Sequence, residues 1–288
     1  MLKTVFLNDN REKGRGVAML LGGFDGLHVG HRSLLARAKA SGLPVGIMTI
    51  AGCKDKGIFT FAEREIIFKE SGVDFVFELP FEEIKTLSPD AFLQLLKENF
   101  QPSLFVCGED FRFGANAQGS PKTIESWGQV CVEALPLLEM DGEKISSRAV
   151  KKHLACGDIQ KVNALLGERF FLLGEVVKDR QVGRTIGFPT ANIVYPQEKF
   201  PLKQGVYETA VRVDGRLYKG ITNYGARPTF DNDRVITETY LDGFAGDLYG
   251  KVLKVEFVRY LRDITRFDSV EALKNQLTKD IKKVRKDD

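Results

Sequence analysis

The rhythm of the first 110 residues constrains the fold more than any other feature. Short apolar runs, VAMLL (17–21), VGIMTI (45–50), VDFVFEL (73–79) and SLFVCG (103–108), alternate with segments of helical period. HRSLLARAKASG puts Leu34, Leu35 and Ala38 on one face and has Gly42 at its end as a C-cap. FAEREIIFKESG (61–72) is amphipathic and closed by glycine. SPDAFLQLLKENF (88–100) opens with Ser88 as N-cap and proline at the first helical position. Strands separated by helices cannot pair through tight hairpins. The chain has to cross over between them, which predicts a mostly parallel sheet with helices on both faces.

The rhythm changes near residue 145. SSRAVKKHLACGD and IQKVNALLG read as two short connecting helices. After Phe170 the chain turns to five strand-like segments, FFLLGEVV, YETAVRV, RLYKGIT, ITETYL and KVLKVEFVRY, rich in aromatic and β-branched residues. Asp214-Gly215 sits between two alternating runs, a strong hairpin signal. Such strands predict a small antiparallel barrel or sandwich. SVEALKNQLTKDIKKV (269–284) then reads as a terminal helix, with Val270, Leu273, Leu277, Ile281 and Val284 on one stripe. A chain of 288 residues accommodates two such domains, which we place at 1–158 and 159–288.

A net charge of +3 is too small to argue for nucleic acid or a membrane as partner, and the tail KKVRK reads as a solvated helix end. The four cysteines, Cys53, Cys107, Cys131 and Cys156, show neither metal-ligand nor redox spacing, which suits reduced thiols in the cytoplasm. The N-terminus lacks a signal peptide's apolar core, and no apolar run approaches the ~18 residues of a membrane span. A homo-oligomer is left open.

Between the first strand and the first helix stands GGFDGLHVGH (22–31), which holds two of the three histidines, His28 and His31. In open parallel sheets ligands collect outside the carboxyl ends of the strands, and a helix N-terminus attracts phosphate. Glycines let backbone approach a ligand closely. The histidines could donate hydrogen bonds to phosphate oxygens or carry positive charge there. A His-x-x-His metal pair is an alternative, although no Cys or Glu cluster supplies a third ligand, and a structural turn with two exposed histidines is another. Neither a P-loop nor a G-x-G-x-x-G after a strand is present.

GGFDGLHVGH resembles the G-x-F-D-G-x-H-x-G-H signature of the nucleotidyltransferase superfamily, in the form found in prokaryotic FAD synthetases. CGEDFRFG (107–114) resembles that family's G-x-D-F-x-F-G segment, and ISSRAVKKHLACGDI (145–159) its ISST-x-x-R region. The second half resembles riboflavin kinase in GEVVKDRQVGRTIGFPTANI (174–193), GVY (205–207), ITNYGARPTF (221–230), ETYLDGF (238–244) and RFDSVEALKNQL (266–277). The resemblance covers nearly the whole chain. It implies a Rossmann-like nucleotidyltransferase domain followed by a riboflavin kinase-like antiparallel β-barrel with a terminal helix.

In the first domain it implies that His28 and His31 grip the triphosphate with Gly22, Gly23, Phe24, Asp25 and Gly30. Ser146, Ser147, Arg148 and Lys151 join them, while Asp110 and Phe111 meet the flavin. Three departures stand out. The family usually has asparagine where Gly23 stands, its T-F-x-P-H-P segment is here TIAGCKDKG (49–57), and Arg148 and Lys151 replace a threonine and an arginine. Lysine is a point charge and cannot reproduce a bidentate fork on phosphate.

In the second domain the resemblance implies that Gly183, Arg184, Gly187, Pro189, Thr190 and Asn192 bind ATP. Thr190 and Asn192 would hold Mg²⁺, a hydroxyl and an amide oxygen of the hard kind that ion accepts. Glu238 matches the catalytic base, and Arg262 lies near the flavin. Read alone, Thr190 and Asn192 are a polar loop after proline and Glu238 a surface strand carboxylate. The implied activity is phosphorylation of riboflavin to FMN and adenylylation of FMN to FAD, with ATP as co-substrate, ADP and pyrophosphate as by-products, and Mg²⁺ as cofactor. A kinase with an impaired first domain is one alternative. A flavin- or nucleotide-binding regulator without turnover is another.

Overall fold

The computed structural model describes residues 2–7, 16–52, 55–178, 187–226 and 235–286. Its contacts divide the chain into two compact units, Met1–Ala149 and Val150–Asp288.

The first unit contains β1 (Lys3–Phe6), β2 (Val17–Leu20), α1 (Val29–Ala40), β3 (Val45–Ala51), α2 (Phe61–Glu70), β4 (Phe75–Pro80), α3 (Phe81–Ile84), α4 (Pro89–Phe100), β5 (Pro102–Gly108), α5 (Pro121–Trp127) and β6 (Cys131–Leu135). A small hairpin of β7 (Glu139–Met140) and β8 (Glu143–Lys144) follows, and α6 (Ser147–Cys156) starts at the end of this unit. The main sheet has the order β1-β4-β3-β2-β5-β6, and every neighbouring pair is parallel. The chain steps outward from β2 through β3 to β4, then returns to place β5 on the other side of β2. That reversal makes the carboxyl ends of β2 and β5 the place where a ligand crevice opens.

Helix boundaries follow local chemistry. Thr60 and Glu63 form a capping box at the start of α2, and Ser88 caps α4 ahead of Pro89. Gly42 follows α1 with φ +72°, the left-handed conformation that ends a helix cheaply. On one side of the sheet, Met19, Leu21, Met48, Phe77 and Leu79 pack with Phe92, Leu93, Leu96, Phe100 and Ile124 of α4 and α5. Burying side chains of this size contributes about 1.5–3 kcal/mol each, which fixes β2 and β5 and with them the loops that leave their ends.

The second unit contains most of α6, then α7 (Ile159–Leu166), β9 (Phe171–Glu175), β10 (Thr190–Val194), β11 (Gly205–Val213), β12 (Arg216–Ala226), β13 (Val235–Leu241), β14 (Val252–Arg262) and α8 (Val270–Lys286). Its six strands run β10-β13-β12-β11-β14-β9, all antiparallel. The two edges meet at one further bridge, where Val177 N–H donates to Asn192 O over 2.8 Å, so the sheet nearly closes into a barrel. Gly174 allows this approach: a Cβ there would lie 2.3 Å from Ile193. Asp214 (φ +48°) and Gly215 (φ +83°) make the two-residue turn between β11 and β12, as their sequence predicts.

The expected five strands are six. The sixth, β10, is the segment TANIV directly after Pro189, where polar residues and a preceding proline mimic a loop. It becomes a strand because β13 pairs with it along its whole length. Inside the barrel the hydroxyls of Thr209, Thr222 and Thr239 form a buried chain with separations of 2.9 and 2.8 Å, which keeps these polar groups satisfied away from water.

Candidate active sites

The first site is built on backbone. The loop after β2 is held by close approaches: a Cβ at Gly22 would come 2.9 Å from the Phe24 ring, and one at Gly26 would come 2.9 Å from the Phe59 ring. Phe24 is buried with φ +34°, a strained value for a side chain of this size. The Phe24 carbonyl accepts from Arg64 Nη1 at 3.4 Å.

His28 is the N-cap of α1, and its Nδ1 accepts from His31 N–H at 3.1 Å. His31 Nδ1 lies 2.8 Å from Gly26 O, so a proton on that nitrogen donates to the carbonyl. The two imidazoles stack with centroids 3.5 Å apart, and Phe24 lies 4.4 Å from His31. These bonds fix the tautomers. Neutral His28 carries its proton on Nε2 as a donor, whereas neutral His31 has a bare Nε2. Burial, then the neighbouring His31, lowers the His28 pKa to about 2. Burial lowers that of His31 to about 4, opposed by the Gly26 carbonyl and the Asp25 carboxylate. The pair is therefore uncharged near neutral pH.

Asp25 is tied to the far end of the unit, accepting from Ser147 Oγ at 2.5 Å. Ser146 Oγ accepts from Ala149 N–H at 3.2 Å and so caps α6. Gly30 lies beside this junction, where a Cβ would come 3.2 Å from the His28 ring. The structure thus brings Gly22, Phe24, Asp25, His28, Gly30, His31 and Ser147 together. Gly23 is exposed, with nothing within 4 Å of an added Cβ.

At the end of β5, Asp110 pairs with Lys144, and Phe111 stacks on Phe113 with centroids 5.5 Å apart. Arg148 is exposed, and the Lys151 ammonium lies 5.9 Å from the centre of the Phe200 ring. Sequence reasoning passed over Thr49. It sits near the carboxyl end of β3, 1% exposed, and its hydroxyl has no hydrogen-bond partner among the described residues.

The second site is built on strand register. Asn192 of β10, Glu238 of β13 and Asn223 of β12 stand level on three adjacent strands. Directly paired residues share a face of the sheet. Two cavities open nearby. One, of about 560 Å³, is lined by Pro189, Thr190, Asn192 and Thr239 and by the segment from Phe244 to Tyr249. The other, of about 270 Å³, is lined by Glu238, Asn223 and Thr190, by the aromatic rings of Phe188, Tyr240 and Phe267, and by Arg262. Thr190 lines both and forms the wall between them.

Asn192 Oδ1 is buried and has no hydrogen-bond partner among the described residues. A bare buried amide oxygen costs free energy unless something occupies it. Gly187 is described with φ +84°, while Gly183 and Arg184 lie outside the described residues. Asn223, Phe188, Tyr240 and Phe267 join the site only through the fold. Asn223 sits in the quoted ITNYGARPTF segment, yet its alignment with Glu238 depends on a strand pairing that local sequence does not state.

An α/β unit with a histidine-bearing loop at its switch point, followed by a barrel with two cavities sharing one threonine, defines a two-domain nucleotide-using transferase. The comparisons with known proteins name the family. The FAD synthetase family model matches residues 10–149 and the riboflavin kinase model residues 166–287. A bifunctional riboflavin kinase/FMN adenylyltransferase of Pseudomonas fluorescens is 33% identical over 293 residues, covering 96% of this chain and 94% of the relative. Its counterpart in Escherichia coli K12 is 34% identical, covering 92% and 90%. A solved structure described as a macrolide-efflux protein from Streptococcus pneumoniae aligns with TM-score 0.90 and 28% identity, covering 98% of both chains. The chain belongs to the bifunctional riboflavin kinase/FMN adenylyltransferase family.

Proposed function

We infer that this chain makes FMN from riboflavin and ATP in its barrel and FAD from FMN and ATP in its α/β unit. The observation that carries the reading is the position of Thr190 between two cavities, with Asn192 on one side and Glu238 on the other. A nucleotide in the larger cavity and a flavin in the smaller then meet at a single point.

In the barrel, Glu238 accepts the proton of the riboflavin 5′-hydroxyl as the new P–O bond forms and orients that oxygen beforehand. Phe188, Tyr240 and Phe267 offer flat apolar surface to a flavin ring. Thr190 Oγ1 and the bare Asn192 Oδ1 fit a magnesium ion, and these two would hold it. When bound with ATP, magnesium neutralises charge on the phosphate oxygens.

In the α/β unit, the donors at the start of α1 and His28 Nε2–H receive the triphosphate. The FMN phosphate attacks the α-phosphorus and pyrophosphate leaves. No covalent intermediate on the protein is needed. The loop brings two anions together and stabilises charge spread over the oxygens. Asp110 and Phe111, just beyond the end of β5, are read as flavin contacts of this unit. Arg148, exposed at the start of α6, is read as a phosphate contact, and the sequence motifs alone assign Lys151, Gly183 and Arg184 to phosphate, the last two outside the described residues.

We put the functional boundary between α6 and α7, at 158/159, within the stretch that neither family model covers. The reactants are small molecules, and the chain works in the cytoplasm, singly or as a homo-oligomer. Incubation with riboflavin, ATP and Mg²⁺, followed by chromatography of the flavins, tests the reading. FAD supports both activities. FMN alone leaves a kinase, and unchanged riboflavin leaves a binding protein.

A further inference from the structure

Arg262 is held by more than its place on the cavity wall. Its Nε and Nη2 both donate to Asp280 Oδ2, at 3.0 and 2.8 Å, and its Nη1 donates to the Asp263 carbonyl at 3.1 Å. Asp280 is fully buried on α8, and its other oxygen accepts from Gln276 Nε2 at 2.9 Å. A guanidinium has five N–H bonds. Three are used here, which leaves one on each Nη for the cavity that Arg262 lines.

Asp280 also divides α8. Beyond it the helix is anchored: Ile281 and Val284 pack against Val206 and Ile221, Lys219 Nζ donates to Val284 O at 2.9 Å, and Arg285 forks onto Asp242 with two bonds of 2.7 Å. Before it, no residue of α8 is buried, and Leu273 and Leu277 face the same cavity as Arg262.

We propose that Asp280 is a positioning residue for the flavin site: it turns the Arg262 guanidinium so that two N–H bonds face an acceptor on the bound flavin. The proposal rests on reading the smaller cavity as that site. A buried ion pair by itself is weak evidence for stability, because apolar residues of similar volume often do as well. A carboxylate spent on aiming a guanidinium into a cavity has a use that packing alone does not replace.

Wild type, Asp280→Asn and the apolar pair Arg262→Met/Asp280→Leu separate these roles. Each is assayed for riboflavin KM and kcat, riboflavin binding by fluorescence quenching, adenylylation of supplied FMN, and Tm. Asp280→Asn is expected to raise the riboflavin KM at least about tenfold, the loss of one charge-assisted contact, with kcat within about threefold. The apolar pair is expected to keep Tm near that of wild type while its KM stays high. Wild-type KM in either folded variant overturns the proposal. Should Asp280→Asn fail to fold, the apolar pair decides by the same criterion. Wild-type protein that adenylylates FMN but neither binds nor phosphorylates riboflavin overturns the reading of the cavity and the proposal with it.

Discussion

The two units solve one problem, holding a nucleotide against a flavin, with different materials. In the α/β unit the proposed site is a loop, a helix N-terminus and two stacked imidazoles, so the donors we assign to it are largely backbone N–H groups. In the barrel the proposed site is a row of side chains placed by register on β10, β13 and β12. A backbone site tolerates substitution wherever side chains point away, but it depends on the few residues that shape the loop. A register site depends on each side chain in the row.

This contrast is tested first where the effect is largest. Glu238→Gln removes the proposed proton acceptor and should lower FMN formation by about 10²–10⁴-fold. Adenylylation of supplied FMN should stay at the wild-type rate. Loss of both would show that the two sites are not separate.

His28→Asn keeps an oxygen to cap α1 but loses the Nε2–H donor. The rate of FAD formation from FMN should fall by about 10²–10³-fold, with kinase activity unchanged. An undiminished rate would hand the work to the backbone donors alone.

A smaller effect is expected in stability against pH. The native imidazoles of His28 and His31 resist protonation down to about 2 and about 4, whereas unfolded histidine titrates near 6.5. The unfolded chain therefore binds more protons as pH falls below 6.5. The contribution of the pair is full above that pH and is lost progressively as pH falls, down to about 4 for His31 and about 2 for His28. Between pH 7.5 and 5, Tm should drop further in wild type than in His28→Gln/His31→Gln. Parallel curves would contradict the assignment of two neutral rings.

The smallest effect belongs to Gly23→Asn. With open space around it and no positive φ, the change should move stability by no more than about 0.5 kcal/mol, read as a nearly constant Tm. A large drop would mean that the loop needs glycine there for its shape.

Much of this was legible in the sequence because it is local. The alternation of VAMLL, VGIMTI, VDFVFEL and SLFVCG with glycine-closed helices sets a parallel sheet. Asp214-Gly215 sets a hairpin, and Ser88-Pro89 sets a helix start. What was not legible is non-local. β10 reads as a loop until β13 is beside it. Asn223 joins Glu238 only through the β12–β13 register, and the grip of Asp280 on Arg262 crosses from helix to strand over 18 positions. At the first site GGFDGLHVGH marks a glycine-rich turn that opens α1. The direction of each imidazole proton depends on the Gly26 carbonyl and the His31 amide, which only the folded turn brings into line.

Which phosphorus atom each unit delivers can be read directly with labelled ATP. In parallel incubations with riboflavin and Mg²⁺, label on the γ-phosphate should enter FMN and persist in FAD, while label on the α-phosphate should enter FAD and never FMN. If α-label stays out of every flavin while FMN accumulates, the α/β unit does not transfer adenylate and the account of two working sites is contradicted.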